Sequence, residues 1–298
     1  MMQTSEKKPL TAAQQHQQAK KRRALLRAAL QVFFFFSMPG AFVAGFNGVK
    51  LLFQRIGAGE VLQADSFTLS LLGLCGFTLL FGRFFCGYVC AFGGLGDAVY
   101  ALSSLIQKKL FHRRAPFRLP ERAVRYGQWI KYALLAFIAG LCAAGIYDKT
   151  TGTSPWEVFS RLTALRLPPE GFGVGIALFL LILLGMAVQP RFFCQFLCPM
   201  GAVFALLPVL PCSLLHRNAE NCIPGCSACA RRCPVGLKPD AASLRSGECI
   251  GCEACVDTCP RGSLSRPALD PARHFVLSAL VRSALFFGMG VCLGFCRF

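Results

Sequence analysis

The chain has 298 residues, 54% of them hydrophobic and only 15% charged, with a formal charge of +18 and a mean hydropathy of +0.51. A soluble domain carries roughly 25% charge, so the long apolar stretches are read first as membrane spans. Seventeen cysteines do not describe a secreted disulfide scaffold, which is short, soluble and led by a cleavable signal. Residues 1–23 are polar and end in Lys20-Lys21-Arg22-Arg23, and the apolar run from Ala24 is too long for a signal core.

Five spans are expected in chain order: 26–46, 66–85, 130–147, 172–189 and 275–296. Each is close to the ~20 residues that a hydrocarbon core needs. Pro39-Gly40 predicts a kink in the first, and Val49–Ile56 reads as a short interfacial piece after it. The fifth carries Arg282, a costly residue there unless it snorkels or meets a partner; an interfacial helix is its rival reading.

The positive charge is unevenly placed. In residues 1–27, Lys7, Lys8, Lys20, Lys21, Arg22, Arg23 and Arg27 face one acid, Glu6. Residues 108–131 are basic around the single acid Glu121. Loops 46–66 and 147–171 are balanced. Alternation of this kind is the positive-inside pattern. It predicts a bacterial inner (cytoplasmic) membrane protein, multi-pass, with the N-terminus and the loops 86–129 and 190–274 cytoplasmic and the tail Arg297-Phe298 outside. No aromatic-plus-basic motif points to nucleic acid.

An internal repeat follows two of the spans. Residues 82–93 read Gly-Arg-Phe-Phe-Cys-Gly-Tyr-Val-Cys-Ala-Phe-Gly, and 190–201 read Pro-Arg-Phe-Phe-Cys-Gln-Phe-Leu-Cys-Pro-Met-Gly. The shared Arg-Phe-Phe-Cys-x3-Cys-x2-Gly predicts a duplicated span hairpin whose Cys pairs meet one membrane face. Cys86/Cys90 and Cys194/Cys198 stand at i, i+4, which on a helix is one face. Three readings stay open for them: a further Fe–S centre held by all four, a dithiol redox pair, or a structural turn at the bilayer edge. Cys75, Cys142 and Cys212 read as core residues, and Cys292/Cys296 as structural.

Between the fourth and fifth spans lie two cysteine runs. Cys249-x2-Cys252-x2-Cys255-x3-Cys259-Pro260 is the bacterial ferredoxin run, in which three thiolates wrap one cubane and the fourth reaches the next. Cys222-x3-Cys226-x2-Cys229-x3-Cys233-Pro234 is its partner, with Pro224-Gly225 in a first gap one residue longer than usual. The swapped-ligand rule gives cluster A Cys222, Cys226, Cys229 and Cys259, and cluster B Cys249, Cys252, Cys255 and Cys233. A zinc site also uses four thiolates, but two interlocked runs ending in Cys-Pro favour cubanes. The four histidines, His16, His112, His216 and His274, lie outside the spans, and no Cys-x-x-Cys-His occurs, so no haem is expected. Without a Gly-rich fingerprint or a P-loop, neither NAD nor flavin is expected.

With these residues in view, the chain resembles the membrane polyferredoxins of the NapH/NosR type, and within them the YccM-like 4Fe-4S membrane electron-transport proteins. The resemblance rests on Phe85-Cys86-x3-Cys90 with Gly93, Phe193-Cys194-x3-Cys198-Pro199 with Gly201, Arg217-Asn218-Ala219-Glu220-x-Cys222, and the ferredoxin runs. It covers roughly residues 25–295. Ala91 stands where the family has Pro. Neither a flavin-binding domain before the spans nor an immunoglobulin-like domain after them is expected, so the long NosR and FixG-like branches fit less well. The resemblance implies a component that takes electrons from the quinol pool or relays them to a partner reductase.

The expected fold is mainly α: a polytopic membrane helical protein of about five spans in two repeated hairpins, with an inserted two-cluster ferredoxin-like α+β module. The expected division is a basic tail (1–23), a first hairpin (24–100), a basic loop (101–129), a second hairpin (130–212), a ferredoxin-type segment (213–272) and a last membrane helix (273–298). The expected cofactors are two [4Fe-4S] clusters, with quinol as substrate. The expected partners are the bilayer, the quinone pool and other electron-transfer subunits or a reductase, which makes the chain the quinol dehydrogenase component of an oxidoreductase system. Asp97 is the acid nearest the first Cys pair, read either as a proton acceptor or as a helix N-terminal acid favoured by the dipole. The rival functions are a redox sensor or assembly factor, and a stand-alone metal reductase using the Cys pairs.

Overall fold

The computed structural model describes residues 12–61, 63–110, 119–147, 152–169, 171–210, 214–238, 247–265 and 275–296. Cys212, His112, His274 and the tail Arg297-Phe298 lie outside the described residues. The chain is mainly helical.

The first expected span is two helices, α1 (Ala12–Ser37) and α2 (Ala41–Ala58). They meet at 64°. Pro39 lacks an N–H and its ring clashes with the preceding turn, so the first helix stops at Ser37. Residues 49–56, expected as a separate interfacial piece, instead continue α2. Three further expected spans are α3 (Ser66–Phe81), α6 (Ile130–Ala143) and α8 (Gly173–Val188). The last is α12 (Phe275–Cys292). Among the described residues α12 alone is a single helix long and apolar enough to cross a membrane, and the bent α1–α2 pair is a second candidate; α3 and α8 are shorter apolar helices. Arg282 of α12 is buried, with its guanidinium 5.9 Å from the Phe81 and Phe84 rings. It thus faces the protein and meets aromatic faces that attract a cation.

Between the apolar helices run α4 (Ala91–Leu110), α5 (Glu121–Gly127), α7 (Pro155–Thr163), α9 (Phe192–Phe196) and α10 (Pro199–Leu206). The many phenylalanines have a packing role. Phe193 of the second repeat copy lies 4.2 Å from Phe92 at the start of α4, and 6.0 Å from Phe42 of α2. Phe85 of the first copy meets Phe204 of α10 at 6.0 Å and Phe286 of α12 at 5.4 Å. Each copy therefore packs its aromatic residue onto helices that flank the other. Such pairs contribute about 0.5–1.5 kcal/mol each beyond area burial.

The ferredoxin runs lie in a largely irregular segment. Its ends are tied by a two-stranded antiparallel ladder, β1 (His216–Arg217) with β2 (Leu264–Ser265), in the register His216 to Ser265 and Arg217 to Leu264. Among the described residues one short helix, α11 (Ala228–Arg232), lies between them with a single 3-10 turn, Val256–Thr258.

Candidate iron–sulfur centres and the face that carries them

The two repeat copies turn by different backbone routes. In the first, Gly82 takes a positive φ of 67° and a one-turn π-helix over Phe85–Val89 carries Cys86, with Cys90 at its end. In the second, Arg191 itself adopts the left-handed region, at φ 56°, and α9 carries Cys194. A non-glycine residue there costs on the order of 1–3 kcal/mol and persists only where its surroundings hold it. Cys198 caps α10, its Sγ accepting the Gly201 N–H at 3.1 Å. The backbone N–H of Gly93, at the matching position, donates to Cys90.

All four of these cysteines are buried in one core and are thiols, not disulfides. Burial pushes the Cys198 thiol well up, and the nearby Cys194, Cys86 and Cys90 sulfurs push it further. Burial likewise raises Cys90, followed by Cys194 and Cys86. The two pairs therefore converge on one place.

Two arginines bracket it. Arg191 is 1% exposed and Arg83 is 2% exposed. Arg191 donates across the repeat boundary to the carbonyls of Cys86 and Gly87. Its Nε and Nη2 take both oxygens of Asp97, at 2.8 and 2.7 Å. Arg27 and Gln31 of α1 also reach Asp97 Oδ2, each at 2.8 Å. Burial alone would raise the Asp97 carboxyl, but Arg191 and then Arg27 hold it at about 2. A carboxylate so placed anchors cations and is not a ready proton acceptor. It lies in the second turn of α4, away from the first-turn dipole position.

Arg83 is tied to the ferredoxin segment. Its Nη1 donates to the Gly247 carbonyl at 3.0 Å and lies 3.5 Å from Glu248 Oε2. Glu248 also pairs with the fully buried Lys131 and accepts Tyr132 Oη at 2.6 Å. Burial pushes the Glu248 carboxyl up, but Arg83 and Lys131 bring it below its usual value. The second copy grips the end of the first cysteine run, Gln195 donating to the Pro234 carbonyl, and Gln128 at the end of α5 donates to Val235 O at 3.0 Å. A Cβ on Gly87 would sit 2.6 Å from the Ile250 carbonyl, so the π-turn and the second run touch backbone to backbone.

The eight ferredoxin cysteines sort into two groups. Cys222, Cys226, Cys229 and Cys259 line one small cavity. Arg217 Nη2 donates to Cys222 Sγ at 3.1 Å, and the Ser263 N–H to Cys259 Sγ at 3.3 Å. Although burial pushes the Cys259 thiol up, the N–H groups of Ser263, Arg261 and Gly262 outweigh it and lower the thiol. Cys233, Cys249, Cys252 and Cys255 are neighbours elsewhere. Burial is the first cause raising Cys255, and the Cys252, Cys249 and Cys233 sulfurs follow. Cys233 is pushed up to about 12, by burial and then by Cys252. Its sulfur accepts the Leu237 N–H at 3.4 Å.

Among the described residues no three His, Cys, Asp or Glu side chains lie close enough to share a single metal ion. Thiolates supplied with N–H donors fit a 4Fe-4S cluster.

A cavity of about 780 Å³ opens between α1, α4 and the second cysteine run. Val32, Phe35, Phe36 and Leu95 line its apolar part, and Arg23, Arg27, Asp97 and Asp257 its polar part; Cys252 is on its wall. Nothing in the local sequence points to it, because its walls come from segments far apart in the chain. The two arginines were visible, since each opens its repeat copy, but their burial was not. Cys142 is buried and Cys75 half-buried in the main core. Cys292 is exposed and Cys296 half-buried near the end of α12.

These features define an iron–sulfur protein, and the comparisons agree. A family model described as a 4Fe-4S binding domain matches residues 66–112 and again 172–212, one match on each repeat copy. A second model of that description matches 244–265. The putative electron transport protein YccM of Escherichia coli is 30% identical over 222 residues, which is 71% of this chain and 59% of YccM. The methylamine utilization ferredoxin-type protein MauN of Paracoccus denitrificans is 28% identical over 70% of each chain. The regulatory protein NosR of Pseudomonas aeruginosa is 30% identical over 57% of this chain and 23% of its own. No solved structure matches. The chain belongs to the membrane-type 4Fe-4S ferredoxin-like family of the NapH/NosR type.

Proposed function

We propose that this chain is a multi-pass membrane protein that relays electrons between the quinol pool and a partner reductase through two [4Fe-4S] clusters. Cluster A would be held by Cys222, Cys226, Cys229 and Cys259, and cluster B by Cys233, Cys249, Cys252 and Cys255. The observation that carries this reading is the sorting of eight cysteines into these two sets, each drawing one member from the other run. When bound, each cluster supplies a one-electron redox couple.

The chain's own residues set the order. The second set rests on both repeat copies through Arg83 and Gln195. The first set lies further out, where Cys226 is exposed and Cys222 half-buried. That favours cluster B as the inner site and cluster A as the outlet to a partner. Residues 213–272 then form the cytoplasmic carrier module on the hairpins 24–100 and 130–212.

Membrane insertion is supported by the outward faces of the apolar helices. Leu72 of α3, Leu181 and Leu184 of α8 and Leu285 of α12 are all more than half exposed. Exposed leucines along three helices are costly in water, at about 25 cal/mol per Å², and suited to lipid. The cavity beside Cys252 supports quinol as donor. Its volume lies in the range of small-molecule sites. Its polar mouth suits a quinol head and its apolar part an isoprenoid tail.

The test is reduction by quinol. Protein with reconstituted clusters receives a short-chain quinol under anaerobic conditions, followed by EPR. Reduced-cluster signals in wild type, abolished by Ala98→Trp in the cavity wall with iron content intact, are expected. Clusters that stay oxidised would remove quinol as the donor.

A further inference from the structure

We propose that Cys86, Cys90, Cys194 and Cys198 jointly hold one further iron–sulfur cluster, a single centre shared by the two repeat copies and lying on their common axis. Each 4Fe-4S binding match covers one copy and so one Cys pair. The geometry assigns both pairs to one site.

The contacts are two-fold in pattern. Arg191, at the head of the second copy, bonds the Cys86 and Gly87 carbonyls of the first. Arg83, at the head of the first copy, stands against Gly201 of the second: a Cβ there would lie 3.1 Å from Arg83 Nη2, 3.3 Å from Cys198 Cβ and 3.4 Å from the Cys194 carbonyl. A Cβ on Gly93, the matching glycine, would meet the Arg191 guanidinium and lie 3.1 Å from the Cys86 carbonyl. These glycines give each arginine the room to cross into the other copy. Each glycine N–H also donates to the second cysteine of its own copy.

The charges suit a cluster better than four thiols. Four thiolates around a cationic iron–sulfide core leave net negative charge in a buried place, and such charge needs buried partners. Two buried guanidiniums face it, and each shares its carboxylate with a second cation, Asp97 with Arg27 and Glu248 with Lys131, so one positive charge is left over on either side. One donor is still to be satisfied: among the described residues Arg83 Nε is buried without a hydrogen-bond partner. A buried donor of this kind costs about 1–3 kcal/mol, and a cluster sulfur beside it would accept.

This inference does not depend on quinol or on the ferredoxin clusters, and its test keeps them apart. Full-length protein is purified anaerobically in three forms: wild type, Cys86→Ser/Cys90→Ser, and a form with all eight ferredoxin cysteines changed to serine. Iron, acid-labile sulfide and zinc are measured in each, with size exclusion in detergent to confirm folded protein. The expected result is retained iron and sulfide in the eight-serine form. In the pair variant, iron should be about a third lower for a cubane, or about a fifth lower for a two-iron centre. Changing one copy's pair should remove the whole centre, including the share held by Cys194 and Cys198. Equal iron in wild type and pair variant, zinc in place of iron, or loss of only half a centre's iron would each overturn the proposal. Should a serine form fail to fold, Arg83→Gln keeps every cysteine: an altered redox midpoint or EPR line in one centre, with the ferredoxin signals fixed, is expected. An unchanged spectrum there would also overturn it.

Discussion

Asp97→Asn isolates the carboxylate that pairs with Arg191. In the folded chain both Asp97 oxygens bond Arg191, and Arg27 and Gln31 converge on Oδ2. Asparagine keeps the shape but removes the charge and turns a donor toward donors. Breaking a buried ion pair costs about 3–5 kcal/mol because it strands the remaining charge. The lower figure applies here, since the Asp97 side chain is 18% exposed and Arg191 keeps the carbonyls of Cys86 and Gly87. At about 2 °C per kcal/mol for a chain of this size, the unfolding midpoint should fall by about 6 °C. The assay is thermal unfolding of detergent-solubilised protein followed by size exclusion. The pH dependence has a definite sign. Asp97 sits at about 2 when folded, below its ordinary 3.8. Its contribution is therefore complete above about pH 4 and lost as pH falls toward about 2. The gap between wild type and Asp97→Asn should stay flat from about pH 8 to about pH 5. A drop under about 2 °C, or a gap that closes near neutrality, would refute this account. So would Asp97→Asn/Arg191→Gln proving as unstable as the two single changes added together.

Three further changes probe the ferredoxin face and the repeat. Cys233→Ser, although it lies in the first run, should abolish the EPR signal of the cluster served by Cys249–Cys255 and leave the other; loss of the opposite signal would reverse the ligand swap. Gly93→Ala should cost about 1–3 kcal/mol by overpacking, because the new methyl meets the Arg191 guanidinium, whereas Gly201→Ala should cost less, with its nearest contact at 3.1 Å; equal midpoints would contradict that ranking. Gly87→Ala presses on the Ile250 carbonyl, a backbone atom that cannot swing aside, so iron content should fall with helical content unchanged by circular dichroism.

Much of this layout was legible because iron–sulfur ligation is written in local spacing. Cys-x2-Cys-x2-Cys-x3-Cys-Pro carries its meaning within twelve residues, and the repeat declares itself by identical order. Helix positions were legible for the same reason: the apolar runs 66–85, 172–189 and 275–296 overlie the helices at 66–81, 173–188 and 275–292. What was not legible is long-range. Nothing near Arg191 in sequence announces Asp97, 94 positions away, and Glu248 stands still further from its partners, 165 positions from Arg83 and 117 from Lys131. Helix ends were also misjudged. Composition reports where the chain is apolar, whereas Pro39 and Gly82 decide where a helix stops.

The same distance explains why the two copies are not equivalent. Arg191 finds its carboxylate on α4, inside the helical body, whereas Arg83 finds Glu248 on the ferredoxin segment, one residue before Cys249. One arginine thus fastens the copies to each other and the other fastens the pair to the second cysteine run. A chain built only to cross a membrane would need neither of these buried pairs, each of which carries a desolvation cost. They are explained if the cysteines must be held at fixed separation, because electron transfer between centres depends on distance and a rigid frame keeps that distance constant. The prediction is specific. Glu248→Gln should loosen the ferredoxin segment, raising amide exchange over residues 247–259 while leaving α3 and α8 protected. Asp97→Asn should do the reverse, loosening α4 and the turn at Phe85–Val89. Identical exchange patterns in the two variants would show that the arginines share one role, and the division of labour between the copies would have to be abandoned.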